Sequence, residues 1–292
     1  MPRARGWIRG PVSPDAPAEA TPHAVPLRAS GRAGSARIGV AILLGLVALA
    51  AFAPWLARDD PSAMAGDALL RPDGNHWFGT DDLGRDLFSG VVHGTRSSLV
   101  VGFVAAGLSA LVALLVGGAA AMQGGVTDQI LMRGTEFVQA VPRFFLIVLI
   151  VSLFGSSYSL IILTIALTTW PATARVFRAQ VLSVLGRDFV VASRASGGSD
   201  AAILVRHVLP HARPVVAAEL SYTVGGAILA EAGLSFLGLG DPTVISWGAL
   251  LAGAQHFVRE AWWMSVFPGI ALTLTVLACN LIADSFVSEP RG

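Results

Sequence analysis

From Ser97 to Thr127 the chain runs for thirty-one residues without an Asp, Glu, Arg, Lys or His. An α-helix rises about 1.5 Å per residue, so roughly 20 such residues cross the ~30 Å hydrocarbon layer of a bilayer. A helix with no charge on any side has no polar face to turn toward water. The stretch therefore reads as a membrane span over about 97–122, with one end reaching the wet side. This feature constrains the fold more than any other, because four further stretches repeat it.

Ile38–Ala57 is a second uncharged run, of twenty residues, and predicts a span over 38–57. Phe137–Ala174 carries only Arg143, near its start, with Gly155-Ser156-Ser157 in its middle. That pattern suits two short spans, about 137–155 and 158–176, with Pro142 and Pro171 near membrane faces or at kinks. Spans over about 214–236 and 262–284 complete a set of six. The expected fold class is all-α: a polytopic membrane protein with one transmembrane domain over 36–288. Composition agrees: charged residues make up 13% of the chain and apolar ones 54%, against ~25% charged in ordinary globular domains.

Residues 1–35 are rich in Pro, Ala, Gly and Arg without apolar periodicity, and read as a disordered tail. A signal peptide is the competing reading. The length of the tail and of the run after it favours a retained first helix.

Function classes are narrowed by what is missing. All 20 basic residues are Arg, so the chain offers neither a P-loop lysine nor a Schiff-base lysine. The single cysteine, Cys279, lies in an apolar run, which leaves no intrachain disulfide and no Cys-based metal site. No cofactor and no catalytic residue is expected in this chain. Arginine placement sets an orientation. With the N-terminus inside, fifteen arginines fall on the cytoplasmic side and five outside (Arg58, Arg71, Arg85, Arg96 and Arg259). Both termini are then cytoplasmic. Trp55, Trp262 and Trp263 fall near outer ends, where interfacial aromatics belong.

One long polar interval interrupts the second half, Gly186–Pro214. Asp188–Ser196 is helix-compatible and meets Gly197-Gly198, a helix stop. Ser199 can cap a second short helix, Asp200–Val208. Pro210 disfavours helical geometry at Leu209 and should end that helix. The interval is thus an Arg-rich helical hairpin hung between two spans, on the cytoplasmic side. Those membrane tethers argue against a nucleic-acid reader of the helix–turn–helix kind.

The order of motifs carries a resemblance. Gly197 followed by Leu209-Pro210 resembles the "EAA" loop of bacterial ABC-importer permeases. HWFGTDDLGRDLFSGVVHGTRSSLVVG (76–102), RHVLPHARP (206–214), EAGLSFLGLG (231–240) and SWG (246–248) are similar to the second permease of dipeptide, oligopeptide and nickel importers. The likeness spans roughly residues 36–288. It departs at the loop's name: Ala192-Ser193-Arg194 stand about where Glu-Ala-Ala is usual.

The resemblance implies a transport subunit, not an enzyme, of a bacterial inner (plasma) membrane importer. Its partners would be a second permease in a heterodimer, two ABC ATPases that bind ATP and Mg, an extracytoplasmic substrate-binding protein and membrane lipid. Arg194, Ala195, Gly197, Ser199, Asp200, Arg206, His207, Leu209 and Pro210 would form the ATPase-coupling loop. Peptides are the expected cargo, with nickel or another small solute as the alternative.

Other candidates are weaker. His207 and His211 have the spacing of a helical metal pair, but Pro210 intervenes and no third ligand is near; no metal site is expected. Glu219 and Glu231 are acids within the fifth span, where burial is costly. Glu219, one turn past Pro214, can face water. Glu231 either lines the pathway or plays a structural part, pairing with Arg259 or a backbone group. GLSFLG (233–238) lacks the second glycine of a nucleophile elbow. The Asp81–Asp86 acids lack an EF-hand register and read as an outer structural segment. An ion-coupled carrier would want a doubled repeat and more buried acids, and a membrane protease would want histidines inside the spans.

Overall fold

A computed structural model describes residues 32–287. The expected tail therefore lies almost wholly outside the described residues. The elements are α1 (Arg32–Ala51), α2 (Ala53–Leu56), α3 (Leu87–Gln123), α4 (Gly125–Gln139), α5 (Arg143–Phe154), α6 (Tyr158–Leu185), α7 (Asp188–Ala195) and α8 (Asp200–Ile203). A π-helical turn (Leu204–Val208) leads into α9 (Leu209–Phe236), followed by α10 (Trp247–Ala254) and α11 (Trp263–Val287). Among the described residues β pairing is confined to two isolated bridges, Met64–Arg85 and Thr80–Asp86.

Five helices are long and apolar enough to cross a membrane, and a sixth span follows if the bent α4–α5 pair is one crossing. The fold is all-α and multi-pass, as the uncharged runs require. Several boundaries differ from the expected ones, each for a local reason.

The second span begins at Leu87, ten residues before the expected start. Asp86 is its N-cap, accepting from the Ser89 N–H at 2.8 Å, so the polar first turns are helical too. The expected 137–155 span corresponds mainly to α5, with only its first three residues in α4, and the two helices meet at 75°. Pro142 lacks an N–H and cannot continue α4, so the chain restarts at Arg143. Arg143 lies beside Gly226: a Cβ on that glycine would sit 3.7 Å from its Nη2. Trp263, expected at the interface, is 1% exposed, and its indole donates to the Thr80 carbonyl at 3.1 Å. Trp55 and Trp262 are exposed.

Helix α3 is central, packed against α6 and α9. Its approach to α6 depends on Gly117, where a Cβ would lie 2.4 Å from the Ala174 carbonyl oxygen. A membrane interior offers no hydrophobic drive between helices, so such close backbone contact is a main source of cohesion. At one end of the bundle, Trp247, Trp263, Met264 and Leu87 form a buried cluster. At the other, Phe177, Val181, Val184, Val190, Ile203 and Val208 form a second. That second cluster positions the loop between α6 and α9.

Candidate functional site

The α6–α9 loop is built from its apolar residues upward. Val190 on α7, Ile203 on α8 and Val208 in the π turn are each at most 1% exposed. They pack on Phe177, Val181 and Val184 of α6 and on Ala121 of α3. The hairpin is therefore seated on the ends of two spans, with its polar side outward. The sequence reading does not single out these anchors. Their signal is the repeat of β-branched residues, disguised by the five-residue step from 203 to 208 where helices ordinarily repeat every three or four.

The turn is held by glycine stereochemistry and one ion pair. Gly197 has φ +84°, which a residue with a Cβ adopts only at a cost of about 1–2 kcal/mol. Ser199 accepts from the Ala202 N–H at 3.3 Å and so caps α8. Arg194 reaches across the turn to Asp200, Nη2 to Oδ1 3.1 Å. Both side chains are largely exposed, so this pair sets shape more than stability.

The candidate residues divide into two groups. Arg194, Ala195, Gly197, Ser199, Asp200 and Arg206 are exposed and share the outward side of the hairpin. His207, Leu209 and Pro210 are half-buried at its root. His207 is half-buried and His211 is exposed. Both rings lie on Phe189, centroids 5.7 and 5.1 Å away, and the His211 Nδ1 is 2.6 Å from the His207 carbonyl oxygen.

The expected end of the second loop helix at Leu209 is overturned. The chain continues as a π turn and enters α9 without a break. The Leu209 N–H bonds the Leu204 carbonyl, one residue further back than in an α-helix. This widening admits Pro210 in the first turn of α9, where its missing N–H costs little. Asp200–Phe236 is in effect one 37-residue helix.

At that far end sits Glu231, 4% exposed. Its Oε1 accepts from the Ser235 and Ser246 hydroxyls, both at 2.7 Å. Arg259, one of the alternatives considered for it, is not among its hydrogen-bond partners. Ser246 also caps α10, a helix not expected from the sequence. Glu219 accepts from Thr173 on α6 at 3.1 Å.

The segment between α2 and α3 is ordered by polar contacts. The Asp86 carboxylate meets His76 Nδ1 at 3.1 Å, and Thr80 donates to the Asp67 carbonyl at 2.7 Å. Asp81 Oδ1 accepts from the Leu83 and Arg85 N–H groups. Desolvation pushes the Asp81 carboxyl above the ordinary carboxylate range, against those bonds. Near the hairpin, Arg178 of α6 grips Asp128 of α4 through both carboxylate oxygens.

An exposed helical hairpin at one end, a continuous rod and a tied polar segment at the other suit a membrane subunit that relays motion. A Brucella suis protein, provisionally named a peptide transport system permease protein, is 39% identical over 89% of this chain and 89% of its own length. The di/tripeptide transport system permease protein of Pseudomonas aeruginosa is 36% identical, covering 84% of each chain. Among solved structures, the inward-facing MetNI methionine ABC transporter has a chain that aligns with a TM-score of 0.56 at 18% identity, over 68% of this chain and 97% of its own length. That likeness concerns the fold. Residues 99–288 match the model of the binding-protein-dependent transport system inner membrane components, and the chain belongs to that family.

Proposed function

We propose that this chain forms half of a peptide translocation pathway and pairs with a second permease subunit. Two ABC ATPases, which bind ATP and Mg, dock on the outward side of the α7–α8 hairpin. A substrate-binding protein delivers cargo at the Glu231 end. The chain supplies no P-loop lysine of its own, in keeping with a transport subunit whose energy comes from partners. The hairpin and both termini face the cytoplasm of a bacterial cell, on the arginine bias described above. Peptide as cargo is supported by the names of relatives that cover most of the chain.

The single observation that carries the coupling role is the continuity of Asp200–Phe236. Closure of the ATPases would tilt or draw the hairpin, and a rigid helix would pass that motion to the far side, opening the path to one face at a time. Gly197→Asp tests it. The substituted turn is strained at φ +84° and places a negative charge in the docking face. The expected result is normal membrane insertion with ATP-driven dipeptide uptake reduced at least tenfold. Uptake at the wild-type rate would overturn the coupling role.

A further inference from the structure

The exposed elbow between α4 and α5 stands level with the middle of α6 and α9. Arg143, its first helical residue, is adjacent to Gly226, which is seventeen residues after Leu209 and ten before Phe236. At helical rise these are about 25 and 15 Å from the two ends of α9. The elbow also opens a cleft of ≈ 290 Å³, lined by Gln139, Arg143, Leu146, Thr168, Thr169 and Ala172 among others. Thr168 and Ala172 lie ten or more residues inside both ends of α6, so the depth is the same on that helix.

Two facts about this place call for a ligand. Backbone outside regular helix, here residues 140–142, is tolerated at membrane depth only where it is buried in protein or lines a wet cavity. The guanidinium of Arg143 is exposed in the chain and takes part in no ion pair of the described residues. No carboxylate lines the cleft. The two threonine hydroxyls are occupied with their own helix, donating to the Thr164 and Ile165 carbonyls at 2.8 and 2.6 Å. The donors left facing the cleft are Arg143 and the Gln139 amide. A cation at such depth needs an anionic or polar partner, and a guanidinium fork matches a carboxylate in two parallel bonds.

We propose that Arg143 binds the carboxylate of the cargo in this cleft during passage. This rests on the peptide-transport reading, and it gives the pathway a chemical preference: cargo with a free carboxylate is held at the elbow, beside the rod moved by the hairpin.

The test uses the whole complex in proteoliposomes with its binding protein, comparing Arg143→Gln with wild type for each cargo. Uptake of dialanine should fall about tenfold, while dialanine amide should change less than twofold. Alanyl-aspartate amide separates the two sources: a fall assigns the site to any carboxylate, and no fall confines it to the peptide C-terminus. Equal falls for dialanine and its amide, as expected if Arg143 pairs with an acid of the second permease, would overturn the proposal. So would unchanged dialanine uptake.

A second measurement is independent of whether the amide is accepted. Arg143→Cys in a Cys279→Ala background should lose dialanine uptake. It should regain at least fivefold when the introduced thiol is modified with aminoethyl methanethiosulfonate, but not with the sulfonatoethyl reagent. A thiol that fails to react, or rescue by both reagents, sinks the idea. If the wild-type complex takes up no dialanine at all, the peptide reading itself fails, and the cargo assignment with it.

Discussion

Ser246 donates to Glu231 Oε1 at 2.7 Å while its own oxygen accepts from the Ala249 N–H at 3.2 Å. One hydroxyl thus ties the end of α9 to the start of α10. Glu231 Oε1 is shared with Ser235, whereas its Oε2 is buried without a partner among the described residues. Glu231 is therefore a joint between elements, and its removal should be felt as lost structure. Glu231→Ala is expected to destabilise the detergent-solubilised complex by about 1–3 kcal/mol, the usual range for stranding buried polar partners. A thermal unfolding series with Ser246→Ala and the double variant checks this. The two effects should be less than additive; strict additivity would show that the joint does not act as a unit.

The α3–α6 crossing offers a sharper test of packing. A Cβ at position 117 would stand 2.4 Å from the backbone oxygen of Ala174, so no side chain can rotate away to make room. Gly117→Val should separate the helices and cost about 1–3 kcal/mol or more. The reduced yield of folded complex on size-exclusion chromatography is the measurement. Gly107→Ala, on the same helix with nothing within 4 Å of the added carbon, should be silent.

Asp128 and Arg178 fasten the first turn of α4 to α6 beside the hairpin. The pair is partly exposed, at 29% for Arg178 and 19% for Asp128, so breaking it with Arg178→Ala should cost only about 1 kcal/mol of stability. The larger effect is expected on transport, since α4 carries the elbow. Uptake should drop severalfold, and the charge swap Asp128→Arg with Arg178→Asp should restore at least half. Failure of the swap would point to a role for Arg178 beyond the pair.

Two loop acids should bend the pH profile in opposite directions. The Thr243 hydroxyl, the Thr243 N–H and the Tyr158 N–H hold the Asp241 carboxyl below its ordinary 3.8. Its stabilisation is present above that value and is lost as pH falls through the depressed folded value. Burial raises the Asp81 carboxyl above 3.8. Its contribution is full below the ordinary value and is lost as pH rises through the raised one. Melting of the complex between pH 3 and 7 should show Asp241→Asn less stable at neutral pH with a flatter acid limb. Asp81→Asn should be more stable at neutral pH, because its amide oxygen can still accept from Leu83 and Arg85. Identical profiles for the two variants would contradict these assignments.

Much of this molecule could be read from order along the chain. Uncharged runs such as 97–127 dictated membrane helices, because a polypeptide in hydrocarbon must satisfy its own backbone bonds and can do so locally only as helix. Gly197 and Ser199 marked the turn and the cap of the hairpin for equally local reasons, a left-handed φ and a side-chain acceptor. The absence of lysine ruled out a P-loop on composition alone. Local rules misled at Pro210, where the preceding π turn absorbed the ring and kept the helix whole. At Pro142 the local rule held, since the residue stands at the 75° bend between α4 and α5.

What only the tertiary structure decided is which distant residues meet. Nothing in the order of residues says that Glu231 would choose two serines over Arg259, or that Val190, Ile203 and Val208 would seat the hairpin on α6. Nor does it say that Arg143 would lie beside Gly226 at the depth of an elbow. Those pairings depend on helix rotation and close approach, fixed by contacts such as Gly117 against Ala174. A helix's apolar composition determines that it enters the membrane. Its small residues and their partners on other helices determine where it comes to rest.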